Sequence, residues 1–241
     1  MNEQMKVEDL VILHEDNHVI VVLKPQNMPC CEDVTGDTDL LTMVKDYIKV
    51  KENKPGNVYV GLVHRLDRVT GGVMVYAKSS KAASRLSEQI RNGEFEKKYL
   101  TVVMGTPREE RATLTDYMKK NPVNNMVYVC PQTVEGAKFA ELEYRVMARA
   151  EEKDLSLLLV KLHTGRTHQI RVQMAHMGTP VYGDMRYGGE RAVKGKIALW
   201  STSLAFNHPV SKERMVFKIE PPKEVRPWNE FTITDDILIY D

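Results

Sequence analysis

Residues 58–77 read VYVGLVHRLDRVTGGVMVYA. The apolar, β-branched runs Val58–Val63 and Val73–Ala77 predict two strands. Between them stand His64, Arg65, Leu66, Asp67 and Arg68, followed by Thr70, Gly71 and Gly72. Charges just past a strand end, on a glycine-supported loop, are where sites are often built. If the segment stays extended, Arg65 and Asp67 project to one side and Leu66 to the other. Taken alone, an exposed loop with an ion pair is the plainer reading.

Upstream, Val11–Leu13 and Val19–Leu23 flank the polar turn Glu15-Asp16-Asn17-His18 and predict a hairpin, closed by Lys24-Pro25. Leu40–Glu52 predicts an amphipathic helix, with Leu40, Val44 and Ile48 on one stripe. Downstream, Ser80–Asn92 predicts a helix capped by Ser79 or Ser80 and stopped at Gly93. Strands are expected at Tyr99–Met104, Met126–Cys130, Lys138–Val146, Leu155–Leu162, Ile197–Phe206, Met215–Ile219 and Phe231–Ile233. Thr167–Met177 reads as a helix capped by Thr167, with Ile170, Met174 and Met177 buried. Strands and helices do not alternate regularly. The expected class is therefore α+β, with a mixed, largely antiparallel sheet flanked by helices and loops. Residues 1–241 are expected to form one domain, with a solvated acidic tail over about 234–241.

Two more clusters can carry chemistry. Lys161-Leu162-His163-Thr164-Gly165-Arg166-Thr167-His168-Gln169-Ile170-Arg171 runs from a strand end through a glycine turn into a helix. A helix start suits a phosphate or carboxylate, and Arg171 lies off the apolar stripe, where it could reach a carboxylate. A basic solvated helix face is the plain alternative. Lys97-Lys98-Tyr99 enters a strand, where a tyrosine is ordinarily packing.

Composition excludes little by itself. The formal net charge is +1, so a nucleic-acid partner would need a local basic surface. The three cysteines form no CxxC pair, which argues against structural zinc and for reduced thiols. The histidines do not follow HExxH spacing, and no metal site is expected. The N-terminus has no basic-then-apolar signal, and no run reaches membrane-helix length. These features predict a cytoplasmic protein without a membrane partner.

Together the segments resemble the RluA family of pseudouridine synthases. HRLDRVTGGVMVYA (64–77) is similar to the signature HRLDxxTSG and its following strand. KKYL (97–100) resembles the family's tyrosine segment, and HTGRTHQIRVQ (163–173) its arginine segment. Gly178–Gly188 resembles the continuation GxPxxGDxxYG, Leu199–Pro209 the late strand and turn LHAxxLxFxHP, and EDNHVIVVLKPQNMP the opening strand pair. The likeness runs in order through almost the whole chain. It departs at Gly71, where the family usually has serine, and at Trp200-Ser201, where it usually has His-Ala. It implies a stand-alone catalytic domain without the small N-terminal RNA-binding domain of many relatives.

The resemblance implies roles residue by residue. Asp67 matches the catalytic aspartate. Tyr99 matches the tyrosine that stacks on the base and is favoured to remove the C5 proton. Arg171 matches the arginine that pairs with the aspartate. Arg65 matches the arginine that helps displace the target base, and Leu199 an apolar residue supporting the site. Lys97, Lys98, Arg166, Arg171 and Lys161 would contact phosphate. The implied reaction breaks the N1–C1′ bond of uridine, turns the base and joins C5 to C1′. It is an isomerisation and needs no cofactor. The carboxylate could attack C6 or C1′, or promote glycal formation. The partner would be rRNA or tRNA with the uridine unpaired or flipped out, and a monomer is the default state. A non-catalytic RNA-binding protein on the same fold and an unrelated hydrolase are the competing readings.

Overall fold

The computed structural model describes residues 6–234 and 237. The chain forms two compact units. One comprises the chain up to Phe95 together with Ser203–Ile219; the other comprises Glu96–Thr202 and the chain from Glu220 onward. The class is α+β, as expected.

The first unit begins with β1 (Ile12–Glu15) and β2 (Val19–Lys24), the expected antiparallel hairpin. Helix α1 (Leu40–Lys51) follows, its first turn capped by the Asp39 carboxylate on the amide of Thr42. The predicted stripe Leu40, Val44 and Ile48 is fully buried. Strand β3 (Gly61–Leu62) pairs with the end of β4 (Gly71–Ala77), which pairs along its length with β2. Helix α2 (Ser80–Arg91) is capped by the Ser79 side chain on Ala82 N–H, and Gly93 beyond it takes φ +75°.

Strand β4 is buried at every position, which is why it reads as a continuous apolar run. Val19, Val21, Val73, Val75 and Ala77 pack with Ala82 and Leu86 of α2 and with Phe95, Leu204 and Phe206. The alternate residues, Ile20, Val22, Met74 and Tyr76, are equally buried on the other face.

The second unit is a sheet in the order β5 (Glu96–Met104), β9 (Leu155–Leu162), β8 (Lys138–Ala150), β6 (Arg111–Lys120), β7 (Val127–Cys130). Each of these neighbours is antiparallel. Helix α3 (Gln169–His176) lays Val172 against Met118, Val127 and Ala140. Strand β10 (Leu199–Asn207) gives Leu199–Thr202 to this unit and Ser203–Asn207 to the first, where it pairs with β11 (Arg214–Lys218).

Several expectations need correction. Of Val58–Val63 only Gly61 and Leu62 find ladder partners, Ala77 and Tyr76, and strand propensity without a ladder edge does not make a strand. Phe231–Ile233 is not a strand; it follows a 3-10 turn at Trp228–Glu230, and Ile233 is anchored by burial alone. Helix α3 starts at Gln169, not Thr167, because His168 takes the left-handed conformation at φ 54° and ends the preceding turn. Met177 is only partly buried, whereas Arg171, Val172 and Gln173 are buried with Ile170 and Met174. Strand β6 has no counterpart in the sequence reading. The predicted tail falls largely on residues 235–236 and 238–241, outside the described residues.

Leu86 is fully buried between α2 and the sheet. Leu86→Ala is expected to cost about 2–5 kcal/mol, read as a lower midpoint in urea denaturation.

Candidate active site

Asp67 lies in the loop between β3 and β4, and the loop's shape is set by what surrounds it. Leu66 is buried, Arg65 is exposed and Asp67 is half-buried, so the alternation expected for an extended segment holds. The Leu66 amide donates to Cys30 Sγ at 3.2 Å, and the Cys30 thiol donates back to Leu66 O at 3.1 Å. Burial pushes the Cys30 thiol pKa up, against the pull of the Lys24 ammonium. Directly after Leu66 the chain turns: Thr70 N–H donates to Asp67 O at 2.9 Å. Gly72 then enters β4 at φ 121°, a conformation that only glycine adopts without strain. His64 accepts the Val75 amide at Nε2, 3.1 Å away, pinning the loop's other end to β4.

Under this turn sits Lys24, fully buried. Its ammonium donates to Pro25 O (2.9 Å), Arg68 O (3.0 Å) and Thr70 O (2.7 Å). Gln26 adds a bond to Val69 O at 3.2 Å. Burial lowers the Lys24 pKa to about 8, while attraction to Cys30 and Asp67 acts in the opposite sense. Arg68 points outward, binding Thr35 Oγ1 at 2.9 Å and pairing with Asp37, so the exposed loop before α1 is tied to the same turn.

Seven further site residues named from sequence lie in the second unit, Lys161 among them on β9. Tyr99 is buried on β5 opposite Val160. Lys97 shares its face, whereas Lys98 points to the opposite face, so the two lysines are separated by the pleat. Lys97 is half-buried, which lowers its pKa. A Cβ on Gly165 would stand 3.3 Å from its Nζ. Leu199 is buried on β10, and the neighbouring Trp200 is buried too. Arg166 is exposed, with Nε donating to Phe139 O at 2.7 Å.

Arg171 is not on a solvated helix face. It is buried and forked onto Asp184, with Nε–Oδ2 at 2.7 Å and Nη2–Oδ1 at 2.9 Å. Its guanidinium lies 5.1 Å from the centroid of the Tyr187 ring. The Tyr187 hydroxyl is 2.7 Å from His168 Nδ1. Burial raises the Asp184 pKa, but Arg171 and the amides of Arg186 and Tyr187 outweigh it and hold the carboxyl below its usual range. Gly183 positions this acid: it takes φ +76°, and a Cβ there would lie 2.4 Å from Lys196 O.

Thr167 does not cap α3; Gln169 instead reaches back and braces the turn before the helix. Its Oε1 accepts from Arg166 N–H (3.0 Å) and Thr164 Oγ1 (2.8 Å), and its Nε2 donates to Glu141 O (3.0 Å). Lys24, Asp184, Tyr187 and Gln169 were not singled out from sequence, although each stands inside a quoted segment. The signal available was a polar residue placed where only a buried partner would justify it.

The sequence model for RNA pseudouridylate synthases matches residues 18–176. A protein of Aquifex aeolicus described as an uncharacterized RNA pseudouridine synthase is 36% identical over 236 residues, covering 91% of this chain and 72% of its own length. A ribosomal large subunit pseudouridine synthase C of Vibrio vulnificus is 30% identical, covering 89% of this chain and 66% of its own. The solved structure of human RNA pseudouridylate synthase domain containing 4 shares the fold, with a TM-score of 0.74 at 19% identity, over 91% of this chain and 90% of that one.

Two measurements test these frames. Lys24 holds its proton less tightly folded, at about 8, than at the ordinary 10.5. Between those values the unfolded chain binds more protons, so this group's contribution to stability rises with pH across that window. One lysine side-chain resonance should titrate near pH 8, vanish in Lys24→Met, and move to lower pH in Asp67→Asn, since the carboxylate's attraction is removed. Asp184→Asn leaves the Arg171 charge buried without its carboxylate and is expected to cost about 3–5 kcal/mol in chemical denaturation. The stabilisation from Asp184 is complete above the ordinary value of 3.8 and is lost as pH falls through its lower folded value.

Proposed function

The chain belongs to the RNA pseudouridylate synthase family, and from that premise we propose that Asp67 is its nucleophilic carboxylate, working with Tyr99 and Arg171 on uridines of ribosomal RNA. The observation that carries this reading is the frame around Asp67. The turn that presents it is bonded from beneath by the Lys24 ammonium and from the side by Cys30. A side chain that must meet a reacting carbon repeatedly in one geometry needs a backbone held in this way.

The reaction is an isomerisation. The N1–C1′ bond breaks, C5 bonds to C1′, the proton leaves C5 and N1 regains one. No electrons leave the substrate, so no redox cofactor is required. The carboxylate serves addition at C6, attack at C1′ or glycal formation, and each route needs it ionised. Tyr99 offers a ring face to the uracil and an oxygen toward C5, though a tyrosine hydroxyl with an ordinary pKa of about 10 acts as a base only with help. Arg171, aligned by Asp184, orients the carboxylate. Arg65, exposed beside Asp67, displaces the target base from its stack. Arg166, Lys97 and Lys98 contact phosphates, and Leu199 supports the base from the apolar side. Ribosomal RNA is favoured by the similarity to the ribosomal large subunit pseudouridine synthase C of Vibrio vulnificus. We take residues 1–241 to act as one catalytic domain, a cytoplasmic monomer whose partner is RNA.

The test is a carbodiimide primer-extension map of pseudouridine over total RNA from cells with and without the gene. One or a few ribosomal sites should disappear. Wild-type protein should restore them, and Asp67→Asn should fall short by at least about a thousandfold in rate while still binding the RNA. A lost tRNA site would keep the chemistry and move the substrate. Full activity of Asp67→Asn would remove Asp67 from its role. An unchanged map with inactive purified protein would leave a protein that only binds RNA.

A further inference from the structure

The outer strands of the second unit carry an aromatic face on the side of the sheet opposite to Tyr99. On β7, Tyr128 is 43% exposed, and on β8, Phe139 is 40% exposed. Tyr117 of β6 lies between them: it is directly opposite Phe139, their ring centroids 5.7 Å apart, and diagonal to Tyr128, whose opposite partner is Lys119. All three rings therefore project from one side of the sheet. It is the side opposite to Tyr99, since Tyr99 shares its face with Val160 and Tyr144, whereas Lys98, Lys161 and Glu143 lie on the aromatic side.

The charges on this side are arranged for a polyanion. Lys98 stands opposite Lys161, and Arg111, which pairs with Glu143, stands opposite Arg145. Like charges facing each other across a ladder reduce stability. The acids on this face are Glu96, Glu141 and Glu143, so with Lys119 the cations number five against three. Arg166 adds a guanidinium at the rim, held to Phe139 O. Exposed rings interleaved with cations on an antiparallel sheet are the arrangement on which single-stranded nucleic acid stacks its bases and lays its phosphates. A protein strand added to the β7 edge would use backbone groups and would need neither the rings nor the excess cations.

We propose that this face is a second RNA-binding surface, on which an unpaired stretch of substrate RNA flanking the target uridine stacks on Tyr128, Tyr117 and Phe139. Only the class of the partner rests on the RNA-modifying reading; the surface is defined by the rings and charges.

The probe is a fluorescein-labelled single-stranded RNA of about a dozen nucleotides, followed by anisotropy with the full chain. The double variant Tyr128→Ala with Phe139→Ala should raise Kd by about tenfold or more. Lys119→Gln should reduce the slope of log affinity against log salt by about 0.7, in a protein whose thermal midpoint is unchanged. Because the two rings are exposed, the double variant should melt like wild type, and Lys119→Gln provides an independent reading if it does not. Wild-type affinity in the double variant, with an unchanged salt slope in Lys119→Gln, overturns the proposal and leaves the face to a protein partner or to cross-strand packing alone. Asp67→Asn, assayed alongside, separates the two claims. If wild type forms no pseudouridine yet the double variant binds RNA more weakly, the enzymatic reading fails and the surface stands. If Asp67→Asn is inactive while the double variant binds normally, the reverse holds.

Discussion

A lysine ammonium buried under a turn is the constraint on which the Asp67 loop depends. Removing a charge from water costs several kcal/mol, and Lys24 recovers it through bonds to three carbonyls and the attraction of the nearby Cys30 and Asp67. The balance is not complete, which is why the lysine holds its proton so loosely. What the cost secures is local. Two of the three acceptors, Arg68 O and Thr70 O, belong to the turn that starts at Asp67. The Asp67 loop is thus fixed from the interior outward, leaving its carboxylate and the Arg65 guanidinium on the solvent side.

The second unit solves the same problem with a different device. Arg171 is held by a carboxylate instead of by carbonyls, and the fork onto Asp184 uses two parallel bonds, which fix the plane as well as the position of the guanidinium. Asp184 is itself aligned by two backbone amides and a glycine that admits no side chain. Both units therefore spend a buried charge on orientation, and in both the partner lies outside the local pattern, 44 and 46 residues from Lys24 and 13 from Arg171.

That remoteness explains what could be read in advance. The hairpin, both long helices and strand β9 were legible because each is a local pattern: alternation, a stripe or a capping serine. Strand β6 was not, since half of its face is solvated and carries charges that mask its alternation. The start of α3 was misread because Thr167 has a capping side chain, while the group that binds the turn amide, Gln169, lies within the helix. The family signature identified Asp67, Tyr99 and Arg171, but it could not distinguish Lys97 from Lys98; only the pleat does, placing one on the face of Tyr99 and the other with the exposed rings. Likewise Lys24 read as a strand terminator beside a proline, because nothing local reveals that a lysine is buried.

Strand β10 carries a consequence for how the protein is made. Neither compact unit is a continuous piece of chain: the first needs Leu204 and Phe206 for its core, and these follow the second unit in sequence. As the polypeptide leaves the ribosome, the N-terminal portion waits, with Val73, Val75 and Phe95 lacking their last neighbours, until the segment carrying Leu204 and Phe206 has been translated. A nascent chain stalled before that point would expose an apolar sheet face to chaperones. Maturation of the Asp67 loop, built on that sheet, is thereby coupled to synthesis of β10.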